Sequence, residues 1–74
     1  MVVAVIDTGI NIKHEYFSKY KEKFVSSYIY ADEKITCLKS IDDSYDNIGH
    51  GTGVNALLCQ YSKTSNIINI IIKD

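Results

Sequence analysis

The chain opens on a continuous apolar run, Val2-Val3-Ala4-Val5-Ile6, rich in β-branched residues. A strand without polar alternation buries both faces, which predicts a place in the middle of a parallel sheet. It ends in Asp7-Thr8-Gly9, three turn formers. Ile10 to Phe17 reads as a loop passing into a short helix from about Glu15 to Lys23, with Tyr16, Tyr20 and Phe24 toward one side. Phe24 to Tyr30 has the β-branched and aromatic content of a second strand. After the polar connection Ala31-Asp32-Glu33-Lys34, Ile35 to Ile41 reads as a short third strand, hairpin-paired with the second. An acidic approach, Asp42-Asp43-Ser44-Tyr45-Asp46-Asn47, leads to Ile48-Gly49-His50-Gly51-Thr52-Gly53. From Gly51 or Thr52 a helix is expected, with the Thr52 hydroxyl as cap. Val54, Leu57, Leu58 and Tyr61 give its sheet-facing stripe. It stops near Ser62-Lys63-Thr64-Ser65, where Lys63 is favourable at the C-terminal end. Asn66 to Lys73 is a last apolar strand, closing a right-handed β-helix-β crossover. The expected fold is α/β, a partial parallel sheet with a crossover helix, in one small domain over residues 1–74.

Composition narrows the function classes. The 74 residues are 46% hydrophobic, too apolar for a disordered tail. A chain of this length buries only about 60% of the surface its unfolded form exposes, so its stability is marginal. Net charge is -1, which gives no basic footprint for nucleic acid. No stretch approaches the roughly 20 apolar residues of a membrane span. No leader precedes the first strand, so a cytoplasmic chain is expected as written. Cys37 and Cys59 have neither metal spacing nor disulfide logic and read as free thiols. Nothing in the chain asks for a cofactor.

Two positions stand out chemically. Asp7 is the first residue out of a strand expected to be buried, at the carboxyl end where open α/β sheets hold ligands and catalytic groups. A turn accounts for Gly9 but accounts less well for a carboxylate there, where charge is costly unless paired. His50 stands between two glycines, as befits a placed imidazole, although a glycine-rich turn with a surface histidine fits the hexapeptide equally. A carboxylate on one ring nitrogen fixes the tautomer and stabilises the imidazolium formed when the other takes a proton, which activates a hydroxyl nucleophile. Other candidates are weaker. His14 has no nucleophile or second ligand nearby and reads as a local structural residue. Lys19, Lys21 and Lys23 read as a solvated face. Asp42, Asp43 and Asp46 match no calcium loop and read as a solvated acidic loop, with cation binding a minor alternative.

Val3-Ala4-Val5-Ile6-Asp7-Thr8-Gly9-Ile10 resembles the Asp-box of the subtilisin-like serine peptidases, the subtilases, and Asn47-Ile48-Gly49-His50-Gly51-Thr52-Gly53-Val54 resembles their His-box. His14 falls where the family often has a histidine beyond the Asp-box. The order, Asp before His, is also the family's. The resemblance covers only the N-terminal part of a catalytic domain. It implies that Asp7 is the orienting carboxylate and His50 the general base, with Gly49, Gly51 and Thr52 shaping the start of the His-box helix. The family usually has a second histidine where Gly53 stands. No Gly-Thr-Ser-Met-Ala-like segment is present, so none of Ser18, Ser26, Ser27, Ser40, Ser44, Ser62 and Ser65 lies in the nucleophile's context, and neither Asn55 nor Asn66 sits in an oxyanion motif.

The resemblance therefore implies serine endopeptidase chemistry on a peptide or protein substrate, with this chain supplying Asp and His and inactive alone. The alternative is a non-catalytic remnant or small interaction module that pairs through an exposed sheet edge, with Ile67 to Ile72 as the sticky element.

Overall fold

A computed structural model describes residues 1–73. Four strands form one mixed sheet in the order β1-β4-β2-β3: β1 is Val2–Asp7, β2 Phe24–Ala31, β3 Lys34–Cys37 and β4 Asn66–Ile72. The helix α1, His50–Tyr61, joins β3 to β4. β4 runs parallel to both β1 and β2, and β3 pairs antiparallel with β2. The α/β class and the crossover helix are as expected. Asp32 and Glu33 make the two-residue link between β2 and β3 with φ of +52° and +63°, the positive pair that a tight type I′ hairpin requires.

The places of the first and last strands are exchanged relative to expectation. β1 is an edge strand, and β4 is the interior one because the crossover returns the chain between β1 and β2. Val5 is buried, but Val2 and Ile6 are 59% and 64% exposed on the opposite face. On β4, Ile67, Asn69 and Ile71 are buried toward the helix, while Ile68 and Ile70 are half-covered. The apolar runs thus reflect a sheet covered by a helix on one face only. The open face continues across all four strands, in the register rows Ile6–Ile70–Tyr28–Cys37 and Ile72–Tyr30–Ile35. The edges left open are those of β1 and β3, so Ile67 to Ile72 is not an exposed edge.

The core lies between the covered face, α1 and the segment after β1. It holds Val5, Ile10, Ile12, Phe17, Cys59 and Ile67, with Tyr20, Phe24, Val54 and Leu58 packed around it. The helix expected over Glu15 to Lys23 is instead two 3-10 turns, Glu15–Lys19 and Lys21–Lys23. Tyr20, at φ -115° and ψ 4°, breaks the segment, and so short a piece lacks the length to nucleate an α-helix. His14 caps the first turn, its Nδ1 accepting from the Tyr16 amide at 3.1 Å. Phe17 is the residue buried, with its ring edge-on to Phe24 at 5.9 Å.

The inner face of α1 also differs from the expected stripe. Gly51, Asn55 and Cys59, spaced at i, i+4 and i+8, are buried, whereas Leu57 and Tyr61 are 57% and 76% exposed. A ridge of small residues lets the helix lie close to the sheet. Asn55 and Asn69 face each other there in a reciprocal amide pair, at 2.9 and 3.2 Å, and Asn55 Nδ2 also donates to the Gly51 carbonyl at 2.8 Å. Two buried amides that satisfy one another avoid the desolvation penalty either would carry alone. The far end of α1 is held by Lys23 rather than Lys63. Its Nζ donates to the carbonyls of Ser62 and Lys63 at 2.9 and 3.2 Å, a cation at the negative end of the helix dipole. Both thiols are free, with Cys37 exposed and Cys59 buried. Among the described residues no helix is long and apolar enough to cross a membrane.

Candidate active site

Asp7 is the last residue of β1 and His50 the first of α1, so the two boxes meet where the strand ends and the helix begins. The His50 Nδ1 lies 2.9 and 2.8 Å from the two Asp7 carboxylate oxygens. The Thr8 amide also donates to Asp7 Oδ1 at 2.8 Å. The hydrogen bond from His50 holds the Asp7 carboxyl below its ordinary range, against burial that pushes it up, and the Thr8 amide adds to the lowering. Asp7 is largely sheltered, its side chain 14% exposed, while that of His50 is 69% exposed. With Nδ1 on Asp7, Nε2 is the ring nitrogen open for proton transfer, and it has no hydrogen-bond partner among the described residues.

Backbone geometry makes this meeting possible. A Cβ on Gly51 would overlap the Gly9 carbonyl oxygen and lie 2.9 Å from the Gly9 nitrogen and 3.1 Å from the Thr8 nitrogen. Only glycine lets the first turn of α1 rest on the turn that follows Asp7. The Gly51 amide completes the contact, donating to Thr8 Oγ1 at 2.9 Å. Gly49 takes φ +100° as the residue before the helix, a left-handed conformation that side chains disfavour. Gly53, by contrast, is exposed and its Cβ position is empty to 4 Å. A residue with a side chain fits there.

The helix starts at His50, one residue before the expected boundary, and its cap is not the Thr52 hydroxyl. Asp46 does this work. Far from being solvated, Asp46 is 2% exposed and accepts hydrogen bonds from the Ile48, Gly49 and Thr52 amides, each at 2.9 Å, and from the Thr52 hydroxyl at 2.8 Å. Burial pushes its carboxyl up, but the Gly49 and Thr52 amides and the Thr52 hydroxyl outweigh that and hold it well below the usual carboxylate range. Sequence reading missed this role. The available signal was an aspartate two and three residues before amides it can cap, with a glycine at the turn, the pattern of an Asx turn feeding a helix.

The remaining candidates do not join the pair. With both Asp46 oxygens occupied by the cap, the acidic approach loses the best of its cation donors, and among the described residues no three His, Cys, Asp or Glu side chains are grouped to hold a metal. None of the seven serines makes a hydrogen bond to His50. Asn55 is locked in the core, and Asn66 starts β4 at the opposite end of the sheet. A pocket lined by Ile10, Asn11, Ile12, Lys13, Asp42 and Tyr45 lies beside the Asp7 turn, but neither Asp7 nor His50 lines it.

The fold thus brings an aspartate at the tip of a parallel strand against a histidine at the start of the crossover helix. The subtilase family model, peptidase S8, matches residues 1–71, and the chain belongs to that family of serine peptidases. No curated protein and no solved structure matches it.

The two helix glycines should respond oppositely to alanine. Gly51→Ala forces backbone apart and should lower unfolding free energy by about 1–3 kcal/mol, the usual cost of overpacking. Gly53→Ala meets open space in a helix and should raise it by roughly 0.5–1 kcal/mol. Urea unfolding followed by circular dichroism checks both, and a Gly51→Ala chain as stable as the parent would contradict the close approach.

Proposed function

We propose that this chain supplies the aspartate and histidine of a serine endopeptidase, as part of a subtilase catalytic domain. The observation that carries this reading is the Asp7–His50 contact, in which Nδ1 sits within 2.9 Å of both carboxylate oxygens while the ring stays open to solvent. His50 Nε2 takes the proton of a serine hydroxyl as its oxygen attacks the scissile carbonyl. It then returns that proton to the leaving amine. Asp7 stays ionised, holds the Nδ1–H tautomer and stabilises the imidazolium between the two transfers. The serine comes from polypeptide outside this chain, and triad members lose most of their value singly. The chain alone therefore has no peptidase turnover.

The test is complementation with a polypeptide carrying a subtilase Gly-Thr-Ser-Met-Ala segment, read on a fluorogenic peptide. Turnover should appear only in the mixture and fall about 10⁶-fold with His50→Ala and about 10⁴-fold with Asp7→Asn, in line with triad deletions elsewhere. Activity indifferent to His50→Ala sinks the assignment. Turnover by the isolated chain that His50→Ala abolishes sinks the claim of inactivity.

The open sheet face favours a second reading, a module that associates with a second copy of itself. β1 leaves its outer edge unpaired, and the open face beside it bears no Asp, Glu, Lys or Arg at any of its register positions. Two such faces meet without like-charge repulsion. Four strands about 4.8 Å apart and some six residues long present roughly 400 Å² of projected area, about 800 Å² for a pair before side-chain relief. That is near the lower bound of about 1,000 Å² for a specific interface, so a weak, reversible dimer is expected. Sedimentation equilibrium should show dimerisation in roughly the micromolar range or weaker, abolished by Ile6→Glu on the open face. A monomer at every concentration rejects this reading.

A further inference from the structure

We propose that Asp46 is a positioning residue for His50, acting through a buried polar clasp that ties the start of α1 to the Asp7 turn. The proposal rests on the reading of Asp7 and His50 as a working pair. One Asp46 oxygen takes the amides of Ile48 and Gly49, immediately before His50, and the other takes the amide and hydroxyl of Thr52, two residues after it. The carboxylate therefore grips the backbone on both sides of the histidine and fixes where the helix begins.

The same group reaches the Asp7 side. Thr52 Oγ1, while donating to Asp46, accepts from the Asn11 amide at 3.0 Å. Asn11 Oδ1 in turn accepts from the Asp46 amide at 3.4 Å, which closes a ring of three residues. Beside the ring, Thr8 Oγ1 accepts from the Gly51 amide, joining the residue after Asp7 to the residue after His50. Asp46 is 2% exposed, whereas the His50 side chain is 69% exposed. The His50 ring stands in solvent, where its pairing with Asp7 is screened, so the buried clasp sets the geometry. Neutralising Asp46 leaves Gly49 and the first turn free to shift, and the Nδ1 contact with Asp7 is lost before the sheet is.

The tautomer of neutral His50 reads this without any enzymatic activity. In the ¹⁵N-labelled 74-residue chain, long-range ¹H–¹⁵N spectra taken where both histidines are neutral should show His50 as Nδ1–H. His14 serves as internal control. Its Nδ1 accepts from Tyr16, so it should remain Nε2–H in every variant. Asp46→Asn should lower the Nδ1–H to Nε2–H ratio at His50 about tenfold, the effect of losing one charge-assisted hydrogen bond, with sheet amide shifts unchanged. Thr52→Val should move the ratio the same way, and Thr52→Ser, which keeps the hydroxyl, should restore it. A folded Asp46→Asn chain with the parent ratio overturns the proposal. If Asp46→Asn does not fold, equal ratios in Thr52→Val and Thr52→Ser overturn it. Nε2–H at His50 in the parent chain instead defeats the reading of the pair itself, and the proposal with it.

Discussion

The approach of Gly51 to the Gly9 carbonyl is the constraint on which the rest of the molecule depends. It places the first turn of α1 against the turn leaving β1, and everything along the helix follows from that distance. Asn55 and Cys59, one and two turns further on, must be small or internally satisfied to lie equally close to the sheet. Asn55 meets this condition by pairing with Asn69 on the central strand. The large apolar residues of the helix are pushed to its flanks or into solvent. A helix chosen for depth of burial would have put Leu57 inside. This one is chosen for where its N-terminus lands.

Magnitudes decide which contact is cause and which is consequence. An exposed ion pair contributes about 0–1 kcal/mol, too little to hold a helix in place. The Asp7–His50 contact therefore reports a geometry fixed elsewhere, by the Gly51 approach and by the hydrogen bonds that surround Asp46. This division suits the acyl-transfer role proposed for the pair. The clasp beneath it is buried, while the imidazole remains open to solvent. It also explains why Asp7 keeps its charge: the strand end shelters it, but His50 and the Thr8 amide compensate.

Much of this was legible in the residues. The two boxes, their order, the α/β class and the β2–β3 hairpin follow from local patterns, and Asp7 and His50, singled out from the sequence, lie in contact. What was not legible depended on long-range partners. An unbroken apolar strand reads as central, yet β1 lies at an edge because one sheet face is uncovered and the crossover inserts β4 beside it. Asp46 reads as one acidic loop residue among several until the amides it caps are brought around it. Lys23 reads as part of a charged face, and only the fold delivers it to the carbonyls at the end of α1. In each case the sequence carried the residue type and the topology assigned the partner.

On the proposed reading, Asp7 and His50 belong to a serine peptidase triad whose nucleophile lies in other polypeptide. Reading the gene beyond codon 74, in all three frames, tests it most directly. A Gly-Thr-Ser-Met-Ala-like segment is expected downstream, within reach of a single frame or one frameshift, together with amphipathic helices able to cover the open face of the sheet. A downstream sequence with no such segment in any frame would contradict it.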